Sequence, residues 1–142
     1  MNYPYTVNIK SEKETVDLAA EFAGMLKPGD IIALNGELGS GKTFFIKSLC
    51  KNWGIENVTS PSFTIMNDYK GKFEVFHFDF YRIKKTGELY DIGFDEYVND
   101  QNMISFIEWA YLFKEIIPLK HYLIDIKSTG DTERRIVIDK FE

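Results

Sequence analysis

The sequence contains a single cysteine, Cys50, among its 142 residues. One cysteine cannot form an internal disulfide, and it cannot supply a thiolate zinc site, which needs several ligands at short spacing. No run of about 18 apolar residues occurs, which excludes a membrane-spanning helix. The amino terminus also lacks a basic segment followed by an apolar stretch. We therefore expect a cytoplasmic protein that does not bind membranes.

Positive charge is also scarce. Seventeen Lys and Arg residues oppose 22 Asp and Glu residues, so the net charge is −5 at pH 7. Only three residues are arginines: Arg82, Arg134 and Arg135. This balance has the wrong sign for binding a phosphate backbone through bulk electrostatics. The composition therefore disfavours a protein that binds nucleic acid directly and alone.

Apolar residues, by contrast, are plentiful. Hydrophobic residues make up 44% of the chain and aromatic residues 15%, which is outside the composition of disordered proteins. We find no internal repeat, low-complexity tract or linker, and the length is that of one domain. A single folded domain over residues 1–142 is the expectation.

One segment carries a strong chemical signal. Gly36–Thr43 matches the pattern G-x-x-x-x-G-K-[ST]. It follows the apolar run Ile31–Leu34, which is typical of a strand buried on both faces, and it precedes a helix predicted over residues 43–52. The missing third glycine argues against a dinucleotide site. The pattern favours a triphosphate site over a glycine-rich turn that binds nothing.

The residue types in this loop suit phosphate chemistry. Backbone N–H groups must converge on phosphate oxygens, so Gly39 and Gly41 leave room and permit unusual backbone angles. The N-terminus of the following helix adds positive potential. Lys42 can reach the β- and γ-phosphates, and the Thr43 hydroxyl can bind Mg²⁺.

A magnesium site also needs a carboxylate at the end of a neighbouring strand. Glu108 ends the apolar run of residues 103–107, and Asp79 lies in a predicted strand over residues 73–80. Glu108 could contact the metal or its water, or be a solvated charge at a strand end. Asp79 could serve the metal, or pair with Arg82.

Period-two alternation in residues 73–80 places His77 and Asp79 on one face and three phenylalanines on the other. We expect the phenylalanine face in the core and the Asp79 face exposed. His77 is predicted to be a core residue or to support a neighbouring group rather than to act as a base. Trp109 could be a core aromatic or a partner contact.

These signals predict an α/β fold: a three-layer P-loop NTPase-like domain with a mostly parallel central sheet and an antiparallel hairpin insertion. The hairpin comprises residues 63–69 and 73–80. A helix follows Ser11, where Ser-x-x-Glu forms a capping box. The remaining predicted strands cover residues 5–9, 31–34, 103–107, 121–127 and 134–139.

Five blocks in this order resemble the TsaE family, also known as YjeE, the small bacterial ATPases of tRNA threonylcarbamoyladenosine synthesis. The blocks lie between Asn35 and Ala110. They comprise the loop Gly36–Thr43, Ser60–Phe63, His77–Arg82, the pairs Glu88-Leu89, Gly93-Phe94 and Glu96-Tyr97, and Ile107–Trp109. The match departs mildly at Ser62, where the family often has Thr.

The resemblance implies a function. Hydrolysis of ATP would support a complex with TsaB and TsaD, in which TsaD transfers the threonylcarbamoyl group to the adenosine next to the anticodon. Contact with tRNA would be made only indirectly, through that complex. Lys42, Asp79 and Glu108 would be the catalytic residues, with Thr43 and Glu108 binding Mg²⁺.

The resemblance also implies further site residues. Ser11 and Glu12 would lie near the base or ribose, and ATP would contact Gly39, Ser40, Gly41, Lys42, Thr43 and Phe44. The segment containing Ser60 and Ser62 would act as a switch-like loop. Tyr81, Arg82 and Trp109 are the remaining partner or switch candidates.

Two other functions stay open. A small-molecule or nucleotide kinase could use the same loop, although three arginines are few for holding two phosphorylated substrates. A nucleotide-gated adaptor could bind ATP with negligible hydrolysis. Because no arginine finger is evident, we expect slow turnover that partners stimulate.

Overall fold

The computed structural model describes residues 1–142, which form seven strands and four α-helices. The strands are β1 (Tyr5–Ile9), β2 (Ile31–Asn35), β3 (Met66–Lys70), β4 (Glu74–Asp79), β5 (Met103–Glu108), β6 (His121–Ser128) and β7 (Arg134–Phe141). The helices are α1 (Glu12–Ala23), α2 (Lys42–Lys51), α3 (Thr86–Asp91) and α4 (Phe94–Val98), with a 3₁₀ segment at Ala110–Ile116. None of the helices has the length and apolar character needed to cross a membrane.

All seven strands belong to one sheet in the order β1-β7-β6-β2-β5-β4-β3. The four central strands are parallel, since β2 pairs with β5 and β6, and β4 pairs with β5. The outer strands β1, β7 and β3 pair antiparallel with their neighbours. Parallel strands are covered on both faces, and every residue of β5 is buried. The predicted α/β class with a mostly parallel centre is confirmed.

Helices cover both faces of the sheet. On one face, α1 and α2 contribute to the larger core through residues such as Phe22 and Phe45. On the other face, α3, α4 and the 3₁₀ segment contribute Leu89, Phe94 and Ala110 to a smaller core. Neither α3 nor α4 is predicted from the sequence, because both helices are too short to show a clear helical period.

The hairpin strands are predicted to within one residue except at the start of the first strand. Strand β3 begins at Met66 rather than at residue 63, because the chain turns immediately before it. The Ile65 N–H donates to the Pro61 carbonyl at 2.7 Å, and Ile65 has a left-handed backbone with φ 70°. The second strand, β4, is a parallel neighbour of β5, so the hairpin forms one edge of the main sheet.

The prediction that the Asp79 face of β4 is exposed is wrong. His77 is fully buried and Asp79 is only 5% exposed. Val75 on the same face belongs to the larger core, while Phe78 on the opposite face belongs to the smaller core. Strand β4 pairs with the buried parallel strand β5 and does not project from the sheet. The helices that cover both faces of the parallel strands therefore also cover β4.

Candidate functional site

A cavity of about 630 Å³ lies at the carboxyl ends of the parallel strands. This is the edge at which open α/β sheets bind their ligands. Fourteen of the fifteen site residues named from the sequence line it: Glu12, Gly39, Ser40, Gly41, Lys42, Thr43, Phe44, Ser60, Ser62, Asp79, Tyr81, Arg82, Glu108 and Trp109. The exception is Ser11, whose hydroxyl accepts a hydrogen bond from the Glu14 N–H as the cap of α1.

The loop between β2 and α2 forms the floor of the cavity. Gly39 and Gly41 have φ values of 77° and 107°, a region that side chains disfavour. A Cβ atom at Gly39 would meet no atom within 4 Å, so the backbone angle accounts for that glycine. The Ser40 hydroxyl is buried without a hydrogen-bond partner, which is costly unless a ligand or water satisfies it. The loop therefore has a buried hydroxyl that is free to hydrogen-bond to a ligand.

Lys42 is a buried cation in the cavity, and it is 5% exposed. Its Nζ donates to the carbonyl oxygens of Gly36 and Glu37 and lies 4.3 Å from the centre of a Trp109 ring. Burial lowers the Lys42 pKa, while Glu108 and Asp79 act in the opposite direction. An ammonium group has three donors, so one N–H remains for an anionic ligand.

Thr43 and Glu108 meet across the sheet. The Thr43 hydroxyl lies 3.0 and 2.9 Å from the two carboxylate oxygens of Glu108. Thr43 is in the first turn of α2, and Glu108 is the last residue of β5. Glu108 is 3% exposed, and the imidazole Nε2 of His77 lies 2.6 Å from its Oε2. Glu108 is therefore a buried, oriented carboxylate and not a solvated charge at a strand end.

Asp79 lies beside this pair at the end of β4, where its register partner in β5 is Glu108. Its Oδ1 accepts a hydrogen bond of 2.8 Å from the Tyr81 N–H. Burial raises the Asp79 pKa above its ordinary value. Arg82 does not pair with Asp79; its guanidinium lies 4.4 Å from the centre of the Phe63 ring. The alternative of an Asp79 and Arg82 ion pair is therefore wrong.

Trp109 shapes the mouth of the cavity through an unusual backbone. Its φ of 58° and ψ of 33° are left-handed, which is uncommon for a bulky residue and marks local strain. Its N–H donates to the Leu34 carbonyl at 3.1 Å, and its side chain packs on Tyr81, with ring centres 4.9 Å apart. This backbone places the indole between Lys42 and Tyr81.

The sequence did not predict the part of the cavity lining that comes from the turn between β6 and β7. Arg134 donates from Nε to the Ser40 carbonyl at 2.7 Å, and from Nη1 to three carbonyls in the preceding turn. These hydrogen bonds join the turn to the loop between β2 and α2, and Asp131 and Thr132 line the cavity with Thr15 of α1. No local pattern marks these residues, because the register of β7 on β6 brings them to the site.

The oxygen ligands at the site suit a hard divalent cation. No group of three or more His, Cys, Asp or Glu side chains is placed to hold a metal. A hydroxyl and a carboxylate are offered by Thr43 and Glu108. Magnesium commonly takes one or two protein oxygens, with water and substrate phosphates completing its shell. The residues therefore fit a magnesium ion that is bound together with a phosphate ligand.

The chain is similar to known proteins over most of its length. Residues 9–136 match the family described as "Threonylcarbamoyl adenosine biosynthesis protein TsaE". A tRNA threonylcarbamoyladenosine biosynthesis protein TsaE from Bacillus subtilis is 42% identical, over 92% of this chain and 80% of the relative. The protein of that name from Rickettsia prowazekii is 39% identical, over 93% of this chain and 92% of the relative.

A solved structure extends the similarity to three dimensions. The crystal structure of Bacillus subtilis YdiB superposes with a TM-score of 0.78 at 33% identity, covering 97% of this chain and 86% of the other. The family match covers nearly the whole chain, and the fold is shared. The chain therefore belongs to the TsaE family of threonylcarbamoyl adenosine biosynthesis proteins.

Proposed function

We propose that this chain is a cytoplasmic ATPase that binds and hydrolyses Mg-ATP in the cavity. Its activity supports TsaB and TsaD in forming threonylcarbamoyladenosine next to the anticodon of tRNA. One observation carries the ATPase proposal: Lys42 and the Thr43 and Glu108 pair converge on one phosphate-binding loop. That combination supplies a cation, a metal-binding hydroxyl and a carboxylate within a single cavity.

Each residue has a distinct part in this proposal. The loop amides and Lys42 bind the phosphates, and the α2 N-terminus adds positive potential. Thr43 and Glu108 would hold Mg²⁺, which when bound neutralises charge on the phosphates. Asp79 has Oδ1 occupied by the Tyr81 N–H and Oδ2 without a protein partner, so Oδ2 can accept a hydrogen bond from the attacking water. Its raised pKa makes it a better proton acceptor than an ordinary aspartate.

Turnover by the isolated chain is expected to be slow. Both arginines that line the cavity are already engaged: Arg134 with backbone carbonyls and Arg82 with the Phe63 ring. An arginine that stabilises the transferred phosphoryl group accelerates hydrolysis by about 10³ to 10⁵. TsaB and TsaD would therefore raise the rate by supplying or releasing such a charge.

The test is ATP turnover by the purified chain alone and with TsaB and TsaD, at matched Mg²⁺, with the Glu108→Ala variant as a control for contaminating activity. We expect slow turnover alone, stimulation by the pair and co-elution with it. Absence of both stimulation and co-elution would overturn the partner proposal. Transfer of labelled phosphate to an acceptor other than water would indicate a kinase, and nucleotide binding without hydrolysis would indicate an adaptor.

A further inference from the structure

A chain of buried hydrogen bonds leads away from Glu108 toward the cavity wall. His77 Nε2 contacts Glu108 Oε2 at 2.6 Å, and His77 Nδ1 lies 3.2 Å from the Tyr69 hydroxyl. That hydroxyl lies 3.0 Å from the Thr59 carbonyl oxygen and 3.2 Å from the Thr59 nitrogen. His77 is 0% and Tyr69 is 4% exposed, so the contacts between Glu108 and Tyr69 are shielded from water.

The donors and acceptors of this chain are assigned from the Glu108 end. A carboxylate oxygen only accepts, so His77 Nε2 carries a proton and donates to Glu108. The single proton of the Tyr69 hydroxyl is within reach of two acceptors, His77 Nδ1 of the neutral ring at 3.2 Å and the Thr59 carbonyl oxygen at 3.0 Å. The hydroxyl oxygen accepts from the Thr59 N–H and from Asn67 Nδ2, which lies at 3.3 Å. Tyr69 therefore joins His77 to the Thr59 backbone.

The far end of this chain is the segment Thr59–Ile65, whose Ser60 and Ser62 line the cavity. Its other end is bound to the second carboxylate strand, because the Asp79 N–H donates to the Ile65 carbonyl at 2.9 Å. Ile65 holds a left-handed backbone, which is strained for a β-branched residue. The segment is therefore attached to the strand ends of both Asp79 and Glu108 and carries local strain.

We propose that His77 and Tyr69 are positioning residues that orient Glu108 and couple its contacts to the segment Thr59–Ile65. The hydrogen bond from His77 to Oε2 keeps Glu108 oriented when a cation replaces the Thr43 hydroxyl as its partner. A displacement of Glu108 is transmitted through His77 and Tyr69 to the Thr59 backbone. Binding of a nucleotide with Mg²⁺ in the cavity therefore changes the rate of amide exchange in the segment Thr59–Ile65. The inference rests on the proposed function, because it requires a nucleotide and Mg²⁺ in the cavity.

The test uses Tyr69→Phe, which removes only the hydroxyl, and His77→Gln, whose amide can keep a donor at the position of Nε2 for Glu108 but places no acceptor at the position of Nδ1, which contacts Tyr69. The control is Tyr122→Phe, a buried tyrosine at the start of β6, four residues before the cavity-lining Ile126. Thermal melting establishes that each variant is folded. The readouts are ADP binding with and without Mg²⁺, amide exchange of residues 59–65, and the kcat and KM for ATP.

In the wild-type chain and in Tyr122→Phe, we expect Mg-ADP to change amide exchange in residues 59–65 and ADP with a chelator to change it less. In Tyr69→Phe and His77→Gln, that difference should disappear while ADP binding without Mg²⁺ is retained. Tyr69→Phe should also weaken apparent Mg²⁺ affinity and lower kcat by about tenfold, with little change in KM.

The two proposals fail in different ways. If folded Tyr69→Phe and His77→Gln keep the wild-type Mg²⁺ affinity and the wild-type exchange response, His77 and Tyr69 are structural residues and this inference is overturned. If Tyr122→Phe loses the response equally, the effect is a general loss of packing and the inference is also overturned. If the wild-type chain itself binds no ADP, the proposed function is the one that fails.

Discussion

The Thr43 hydroxyl touches both carboxylate oxygens of Glu108 across 65 residues of sequence, at 3.0 and 2.9 Å. This contact joins the first turn of α2 to the end of β5. Because the site offers so few oxygen ligands, the hydroxyl at position 43 should matter more than the volume of the side chain.

The first prediction compares Thr43→Val with Thr43→Ser. Valine has the shape of threonine but no hydroxyl, so we expect Mg²⁺-dependent ATP hydrolysis to fall about 10- to 100-fold, the usual effect of weakening a metal site. Serine keeps the hydroxyl and should retain most of the activity. Steady-state turnover over a Mg²⁺ titration measures both. Equal activity of the two variants would contradict a metal-binding role for Thr43.

Lys42 and Glu108 should separate nucleotide binding from hydrolysis. In the proposed function Lys42 is the cation that binds the phosphates. Lys42→Ala should therefore weaken ATP affinity by about tenfold or more, because charge-assisted hydrogen bonds contribute about 1.5 to 3 kcal/mol. Glu108→Ala should abolish hydrolysis while ADP binding without Mg²⁺ persists. Titration with a fluorescent ADP analogue and a turnover assay distinguish the two effects. Wild-type turnover in Glu108→Ala would remove that residue from the site.

Asp79 should lower the stability of the folded chain at neutral pH. Burial raises its pKa in the folded state, so the folded protein binds this proton more tightly than the unfolded chain does. The resulting loss in the free energy of unfolding is absent below the ordinary aspartate pKa of about 3.9. It develops as the pH rises from there through the raised pKa of Asp79 in the folded state.

Asp79→Asn should therefore raise Tm at pH 7, and this gain should shrink as pH is lowered toward 4. The asparagine Oδ1 can still accept the Tyr81 N–H, so that contact is preserved. ATP turnover should fall, because the amide is not a proton acceptor. Calorimetric melting at several pH values is the measurement. A Tm below that of wild type at pH 7 would contradict the predicted penalty.

The left-handed backbone of Trp109 predicts a difference between two truncations. Trp109→Ala and Trp109→Gly both remove the ring that contacts Lys42 and Tyr81. Only glycine adopts φ 58° without a steric cost. We expect the free energy of unfolding to be about 1 kcal/mol higher for the glycine variant than for the alanine variant. Urea denaturation measures the free energy of unfolding of both variants. Equal free energies would contradict the prediction and would show that the backbone at position 109 leaves the left-handed conformation once the ring is removed.

The Cys50 thiol should be unreactive toward thiol reagents in the folded chain. It is fully buried in α2, and burial raises the pKa of its thiol to about 12. Because the thiolate is the reactive species, labelling by a thiol reagent at pH 8 should follow unfolding. A urea series of labelling rates checks this. Rapid labelling in buffer would show that the helix opens locally.

Much of the site was predictable from the sequence, because its central signal is local. The glycines, lysine and threonine of residues 36–43 act within one turn between a strand and a helix, and short-range backbone preferences favour that turn. The buried runs at β2 and β5 likewise predicted a parallel centre, since both faces of such strands are covered. These features depend on residues only a few positions apart.

Other features depend on pairing between distant strands, and no local pattern encodes that pairing. The alternation of residue types in β4 identified the two faces of the strand. It could not show that both faces are buried, because their burial depends on the position of β4 beside β5 in the sheet. The antiparallel register of β7 on β6 brings Arg134 to the loop between β2 and α2.

By itself, the sequence determined the α/β class, the glycine-rich loop between β2 and α2, and the two carboxylates, Asp79 and Glu108, that line the cavity. The tertiary structure decided that Glu108 is held by His77, that His77 reaches Thr59 through Tyr69, and that Trp109 covers Lys42. Backbone conformation follows from neighbours along the chain, whereas these contacts require strands and loops that only the folded sheet brings together.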